Sequence, residues 1–138
     1  MKRTKLFIFD ANALISALLV GSYTNNLAFR RALQIGLVIC THRIKTELSD
    51  VLSRKKFDRY ATIEDRLKIF SFLETQLLEF PPPSITIQAC RDPKDNQYLE
   101  LAVEAKANCI ITGDKDLLVL HPFQEIPILQ AADFLSQF

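Results

Sequence analysis

The chain has few of the residues that build zinc sites and disulfide scaffolds. It contains three cysteines and two histidines among 138 residues. The cysteines are far apart and odd in number, and neither histidine has a partner at metal-ligand spacing; these residues are Cys40, Cys90, Cys109, His42 and His121. The pattern argues against a zinc site and against a disulfide framework. We therefore interpret the cysteines as small buried apolar residues of a protein in a reducing compartment.

The sequence also lacks several motifs that carry catalysis in other enzymes. It has three glycines and no glycine-rich phosphate-binding loop. It has no nucleophile elbow, and no serine or cysteine lies beside a candidate base. These absences leave the acidic residues as the main candidates for chemistry.

Strong net charge and long apolar runs are missing as well. The 17 basic and 16 acidic residues give a net charge of +1, so any contact with nucleic acid must be local. The apolar run at residues 6–9 ends at Asp10, too short for export or for crossing a membrane. With 49% hydrophobic residues, the chain can bury a core. We expect a single domain over residues 1–138 that is soluble and cytoplasmic.

The first candidate site lies where this apolar run ends. An unbroken run at residues 6–9 is typical of a strand that is covered on both faces in a parallel sheet. Asp10 and Asn12 follow at the carboxyl end of this strand, which is the edge at which open α/β sheets bind ligands. The alternative is that Asp10 only caps the next helix.

The rest of the chain alternates apolar strands with helical patterns. Further strands are expected at residues 37–40, 85–87, 108–112 and 126–129, with 85–87 at the sheet edge. One intervening helix is expected to end at Gly36, and another to carry Leu67 and Leu77 on its buried side. This alternation predicts an α/β fold, a three-layer α/β/α sandwich with a four- or five-stranded parallel sheet.

Two acidic residues occupy helix positions that face apolar neighbours. Glu47 borders the apolar side of its helix. Asp95 precedes Leu99 by four residues, which places it on the side that packs toward the sheet. The alternatives are that Glu47 is a solvated surface residue, and that Asp92 and Asp95 only open their helix as N-terminal acids.

More acidic residues follow the strand at residues 108–112. Gly113 allows the backbone to turn sharply, and Asp114 and Asp116 lie in that turn. The alternative is an ordinary turn sequence without a site. If strand ends and helix flanks meet, four carboxylates gather at one edge of the sheet: Asp10, Glu47, Asp95 and Asp114.

Such a cluster requires a cation or protons. Two carboxylates about 4 Å apart repel by roughly 4 kcal/mol at an effective dielectric constant of about 20. Oxygen ligands without histidine or thiolate favour Mg²⁺ or Mn²⁺ over zinc. An ion that is held by carboxylates and keeps several waters suits the hydrolysis of phosphodiester bonds.

In these segments the chain resembles the PIN domain, and within that family the VapC-like toxins of prokaryotic toxin–antitoxin systems. The resemblance covers nearly the whole chain. It rests on Phe9-Asp10-Ala11-Asn12, Glu47-Leu48, Asp92-Pro93-Lys94-Asp95-Asn96, Thr112-Gly113-Asp114-Lys115-Asp116 and a closing Asp133-Phe134-Leu135. One departure is Ala11, where many relatives have a small hydroxyl residue, but this change removes no ligand.

The resemblance implies a metal-dependent endoribonuclease that uses Mg²⁺ or Mn²⁺ and assembles as a homodimer or higher homo-oligomer. The implied catalytic and metal-binding residues are Asp10, Glu47, Asp95 and Asp114. Asp116 is implied as an auxiliary metal ligand. Asn12 and Thr112 are implied to orient the carboxylates through hydrogen bonds.

Three functional hypotheses follow. The first is a toxin that cleaves RNA and is neutralised by a small antitoxin protein. RNA would approach over a basic cluster, Arg54, Lys55, Lys56 and Arg59, which could instead complement a helix dipole. The second is a non-catalytic PIN module that binds RNA or a protein partner. The third is a phosphatase with Asp10 as nucleophile. Asn12 argues against it, because a phosphatase of this kind would need a second carboxylate at that position.

Overall fold

The computed structural model describes residues 3–138. Its strands are β1 (Lys5–Phe9), β2 (Gly36–Cys40), β3 (Leu77–Glu79), β4 (Cys109–Ile111) and β5 (Ile128–Leu129). Its α-helices are α1 (Ala11–Ile15), α2 (Tyr23–Ile35), α3 (His42–Leu52), α4 (Ile63–Gln76), α5 (Asn96–Ala105), α6 (Lys115–Leu118) and α7 (Ala131–Gln137). A π-helical turn at Ser16–Val20 and two 3₁₀ turns, Lys55–Phe57 and Pro93–Asp95, also occur. None of the helices in this range is long and apolar enough to span a membrane.

The five strands form one parallel sheet in the order β3-β2-β1-β4-β5. In central β1, Phe7 lies opposite Val38 of β2 on one side and Cys109 of β4 on the other. The chain fills the sheet in one direction up to β3 and then returns to the other side of β1. Since such crossovers are right-handed, this reversal puts α5 on the opposite face from the preceding helices. The predicted α/β/α sandwich with a parallel sheet is confirmed.

The central strand is buried because helices cover both of its faces. Phe7 packs edge to face on Phe134 of α7, with ring centroids 5.2 Å apart. Phe9 packs in the same manner on Phe29 of α2, at 5.6 Å. Ile8 alternates to the other face and is also fully buried. The apolar run at residues 6–9 thus forms the two-sided buried strand that was predicted, and it ends at Asp10.

The prediction of an edge strand at residues 85–87 is wrong, because these residues form no strand. The edge strand is β3, in which Leu77 pairs with Val38 and Leu78 with Ile39. Leu77 therefore belongs to a strand, and the helix that was expected to carry it ends at Gln76. Leu77 continues the helical spacing of the apolar residues before it, but its pairing with Val38 places it in the sheet.

Residues 81–92, here called the strap, run along α5 and are held by its side chains. Glu104 accepts hydrogen bonds from the Ser84 N–H at 2.9 Å and from the Ser84 hydroxyl at 2.6 Å. Glu100 accepts from the Ile87 N–H at 3.0 Å, and Asn96 Oδ1 accepts from the N–H groups of residues 89 and 90. Asn96, Glu100 and Glu104 are spaced by four residues and share one face of α5. They occupy N–H groups that strand pairing would need.

Gly36 ends α2 as predicted and also begins β2. Its N–H donates to the Ala32 carbonyl at the end of α2, and its extended backbone, with φ of −173°, leads directly into the strand. A Cβ at this position would lie 2.3 Å from the carbonyl oxygen of Lys5 in β1. Glycine is therefore needed for the close approach of two strands. Gly21, with φ of 84°, ends its helical segment in the left-handed conformation.

The buried side of α4 also differs from the prediction. Leu67, which was expected to be buried, is 60% exposed, whereas Arg66 is 2% exposed. The Arg66 guanidinium donates to the carbonyl oxygens of Leu52 and Arg54 at 2.9 and 3.0 Å and pairs with Asp58 at 2.5 Å. These acceptors compensate for the burial of the charge. Hydrogen bonds to backbone carbonyls thus set the orientation of α4.

The cysteines agree in large part with their interpretation as small apolar residues. Cys40 and Cys109 are buried in the sheet, and Cys90 in the strap is half-buried. Burial raises the pKa of the Cys40 thiol to about 11 and that of Cys109 to about 12. Both thiols therefore remain protonated at neutral pH.

Candidate functional site

Two neighbouring strands bring acidic residues to one edge of the sheet. Phe9 of β1 and Ile111 of β4 lie opposite each other in the parallel register. The residue that follows each of them leaves the sheet there, and the Asp10 N–H donates to the Ile111 carbonyl at 3.3 Å. Asp10 and Thr112 are therefore adjacent although they are 102 residues apart in sequence.

Asp10 is 5% exposed, and protein donors occupy both of its carboxylate oxygens. Oδ1 accepts from the Ala13 N–H at 2.8 Å, which makes Asp10 the N-cap of α1. Oδ2 accepts from the Thr112 hydroxyl at 2.5 Å, and that hydroxyl accepts in turn from the Asp114 N–H at 2.9 Å. Burial raises the pKa of Asp10 to about 6, although these hydrogen bonds favour the charged form. Asp10 is thus both a helix cap and a member of the acidic edge.

Glu47 is held by two donors from the first turn of α5. The Gln97 amide donates to one carboxylate oxygen, and the Tyr98 hydroxyl donates to the other at 3.1 Å. The Tyr98 oxygen also accepts from the Ala11 N–H at 3.2 Å. Burial and the nearby Glu47 carboxylate raise the pKa of Tyr98, so the hydroxyl keeps its proton. Sequence reasoning missed both donors, although Gln97 lies four residues before the buried Leu101 and so faces inward.

The negative charge of the site is least balanced by hydrogen-bond donors where Asp95 and Asp114 meet. Burial, a contact with the Asp114 carboxyl group and the charges of Asp114, Asp92 and Glu47 raise the pKa of Asp95 to about 7. The Asp95 carboxylate accepts no hydrogen bond from a protein N–H or O–H within residues 3–138. Near neutral pH Asp95 therefore favours a proton or a nearby cation.

The acidic edge opens into two adjoining recesses. A cleft of about 720 Å³ is lined by Glu47, Asp95, Gln97 and Asp114, among others. A recess of about 320 Å³ is lined by Asp10, Ser16, Asn25 and Asp114, among others. Both have Asn12 and Asp114 in their walls. Asn12 and Asp114 therefore lie between the Asp10 side of the edge and the Glu47 side.

As they lie in this structure, the acidic groups do not form a closed metal site. Within residues 3–138, no three His, Cys, Asp or Glu side chains are close enough together to hold an ion. The ion pairs of this part of the chain involve other acids: Glu74, Glu79, Asp58 and Asp65. The candidate ligands nevertheless fit a hard divalent cation, because they offer only oxygen atoms and because burial, together with the neighbouring acids, raises the pKa of Asp95.

Of the two residues expected to orient the carboxylates, Thr112 makes a hydrogen bond to one of them and Asn12, in the described part of the chain, does not. Thr112 makes the expected hydrogen bond to Asp10. Asn12 is exposed in the walls of both recesses, and its amide makes no hydrogen bond to a carboxylate within residues 3–138. Asp116 lies in the first turn of α6, where its N–H donates to Asp114 Oδ1 at 2.9 Å.

The basic residues near the cleft are only partly those expected. Arg54 is in its wall. Lys55, Lys56 and Arg59 are exposed on the following 3₁₀ turn and loop, where Lys56 and Arg59 stack on Phe57 and Tyr60. Sequence reasoning missed Arg43 and Lys94, which also line the cleft. The spacing of four residues between Arg43 and Glu47 on α3 was the available signal.

A five-stranded parallel sheet with acidic residues at the carboxyl ends of β1 and β4 defines an α/β/α protein with a recessed acidic edge. Residues 7–116 match the family model described as the PIN domain, and the chain belongs to this family. The resemblance inferred from the sequence is therefore confirmed. PIN-domain proteins are typically nucleases and generally use divalent metal ions.

Known proteins resemble this chain in a short sequence segment and in fold. A 39-residue segment is 49% identical to uncharacterized protein MJ1680 of Methanocaldococcus jannaschii and covers 28% of this chain and 24% of that protein. The match thus spans about a quarter of the relative's length. The fold is similar to a chain in the crystal structure of VapBC2 from Rickettsia felis bound to a DNA fragment from their promoter. The TM-score is 0.60 at 13% identity, over 91% of this chain and 97% of that one, so this likeness concerns the fold alone.

Proposed function

We propose that this chain is a divalent-metal-dependent endoribonuclease that hydrolyses phosphodiester bonds of RNA. The observation that carries the proposal is the gathering of acids from four segments at one sheet edge. Asp114 borders both recesses and joins Asp10 in one to Glu47 and Asp95 in the other. Membership in the PIN family supports a nuclease in general, and the acidic edge supports a metal-dependent one.

Asp10, Glu47, Asp95 and Asp114 would hold the ion, with Asp116 as an auxiliary ligand. Their oxygen-only chemistry favours Mg²⁺ or Mn²⁺. When bound, such an ion lowers the pKa of a water molecule and neutralises charge on the departing oxygen. The chain's own contribution is to supply carboxylates already oriented by neighbouring donors, as Thr112 does for Asp10.

RNA would reach the acidic edge along the basic wall of the cleft. Arg43, Arg54 and Lys94 line the cleft and can pair with phosphates. Lys55, Lys56 and Arg59 would extend this surface outward from α3. Because the acidic groups repel phosphate, binding requires both the basic wall and the neutralising cation.

The proposed biological role is that of the toxin in a toxin–antitoxin pair, with a small antitoxin protein as partner. The fold shared with a chain of the VapBC2 structure supports this role. A cytoplasmic location and a homodimer or higher homo-oligomer remain predictions of the family resemblance. A toxin should arrest growth on expression, and a co-expressed partner should relieve the arrest.

The test of the proposed activity compares Asp10→Asn and Asp95→Asn with the parent chain. Each variant should cleave RNA more than about 100-fold more slowly in Mn²⁺. Loss of a residue that only supports a ligand commonly lowers activity about 10- to 100-fold, and loss of a charged ligand should lower it further. Glu64→Gln, at an exposed position of α4, is the matched control and should cleave at the parent rate. Parent-like cleavage by both site variants would show that the site assignment is wrong.

A non-catalytic PIN module is the second candidate. It is favoured by the occupied carboxylates of Asp10 and Glu47 and by the lack of three converging ligands within residues 3–138. Metal titration separates the two functions. A binding module should retain RNA or partner binding but show no cleavage at any concentration of Mg²⁺ or Mn²⁺.

A further inference from the structure

Two consecutive residues of α5 determine the orientation of Glu47. Gln97 and Tyr98 each donate one hydrogen bond, and they reach different oxygens of the same carboxylate. Glu47 itself is half-buried on α3, and no Lys or Arg within residues 3–138 forms an ion pair with it. Neutral donors from a single helix turn therefore fix its direction.

The two donors differ in what else they do for the fold. The Tyr98 oxygen also accepts from the Ala11 N–H, one of the N-terminal groups of α1 that need a partner outside their helix. Tyr98 thus supports both the fold and Glu47. Gln97 makes no second contact of this kind. Its amide nitrogen donates to Glu47, while its Oε1 atom is buried and without a hydrogen-bond partner within residues 3–138.

An unpaired buried oxygen reduces stability, because the oxygen has lost its water without gaining a donor. Gln97 is 5% exposed, and an apolar side chain of similar length would fill its place without this cost. The amide cannot flip to avoid the problem, since its oxygen would then face the Glu47 carboxylate. Folding alone therefore does not account for glutamine at this position.

We propose that Gln97 is a positioning residue, kept at a cost in stability because its amide orients Glu47 for the divalent ion. The proposal rests on the proposed metal-dependent function. It distinguishes Gln97 from Tyr98, since only Tyr98 also stabilises the N-terminus of α1. Supporting residues of this kind commonly change metal affinity by about 10- to 100-fold.

The test uses Gln97→Met, which keeps the length of the side chain and removes both the oxygen and the NH₂ group of the amide. Calorimetric titration with Mn²⁺ should show binding about 10- to 100-fold weaker than in the parent. Urea denaturation of the metal-free protein should show a stability close to that of the parent, because removal of the unpaired oxygen offsets loss of the hydrogen bond to Glu47. Tyr98→Phe, as the contrasting variant, should lose both Mn²⁺ affinity and stability.

A double-mutant cycle shows whether Gln97 acts through Glu47. In a Glu47→Gln background, Gln97→Met should have no further effect on Mn²⁺ affinity. Parent-like affinity of Gln97→Met, or the same loss in both backgrounds, would overturn this inference while leaving the proposed function intact. Absence of Mn²⁺ binding by the parent chain would overturn the proposed function and this inference together.

Discussion

Asp10 and Asp95 are two carboxylates of one acidic edge in opposite local environments. Asp10, at the end of a strand, is almost fully buried and accepts hydrogen bonds from Ala13 and Thr112. Asp95, at the start of a helix, is less buried and has the carboxyl group of Asp114 as its neighbour. Burial raises the pKa of both, but in Asp10 hydrogen bonds from protein donors oppose the rise, whereas in Asp95 contact with the Asp114 carboxyl group adds to it. The fold thus orients Asp10 by itself, whereas Asp95 requires a proton or a cation.

Among the tests of this comparison, the largest effect is expected from removing the donor that orients Asp10. Thr112→Val deletes the hydroxyl that donates to Asp10 and accepts from Asp114. Mn²⁺ affinity should fall about 10- to 100-fold, with a matching loss of cleavage, and calorimetry measures it. Thr75→Val, whose hydroxyl bonds only within and near its own exposed helix turn, is the control. If the affinity is unchanged, Asp10 does not depend on Thr112 for its orientation.

A second prediction concerns the pH dependence of the metal-free protein. Both carboxyl groups have pKa values in the folded chain, about 6 and about 7, above the ordinary value of 3.8. The folded state therefore binds these protons more tightly than the unfolded state, and this stabilisation is lost as the pH rises through 6 and 7. Between pH 5 and 8 the free energy of unfolding should fall by on the order of 2 kcal/mol, after allowance for solvent screening.

Urea denaturation in the presence of a chelator measures this dependence. Saturating Mg²⁺ should reverse its sign, because the ion binds the charged carboxylates of the folded chain. Stability that rises from pH 5 to 8 without metal would contradict the raised pKa values.

The smallest expected effect is on the free energy of unfolding when Asp10 and Asp95 are each replaced by neutral asparagine. At pH 8 without metal, Asp95→Asn should raise the free energy of unfolding by about 1 kcal/mol, since it removes repulsion at a partly screened site. Asp10→Asn should change it less, because relief from burial is offset by weaker bonds to Thr112 and Ala13. Asp133→Asn, at an exposed position in the first turn of α7, serves as the control and should lower rather than raise the free energy of unfolding, because its charge favours the helix N-terminus. Equal changes in the two variants would remove the distinction between their environments.

Much of the fold could be predicted because local patterns and the global arrangement agree. The apolar run before Asp10 predicted a central buried strand, and the alternation of strands and helices predicted the parallel sheet. A parallel sheet then requires that the ends of neighbouring strands meet at one edge. The proximity of Asp10 and Thr112 follows from that rule, although the hydrogen bond between them does not.

What could not be predicted depends on contacts between distant segments. Residues 85–87 have the composition of a strand, but Asn96, Glu100 and Glu104 of α5 bind the backbone of the strap. In the same way, Gln97 faces inward by helical period, but only the tertiary arrangement brings Glu47 of α3 to the first turn of α5, within reach of the Gln97 amide. Sequence spacing assigns side chains to faces, and it does not say which faces meet.

The short outer strands and the three prolines after β3 also bear on how this chain meets other copies of itself. β3 has three residues and β5 has two, so each edge offers few free backbone groups. Pro81, Pro82 and Pro83 follow β3 almost directly and have no N–H group to donate. Both edges are therefore poor templates for the addition of a foreign strand, which is the usual route to sheet aggregation. Association between copies of this chain is accordingly expected through helical faces rather than through a continuous sheet.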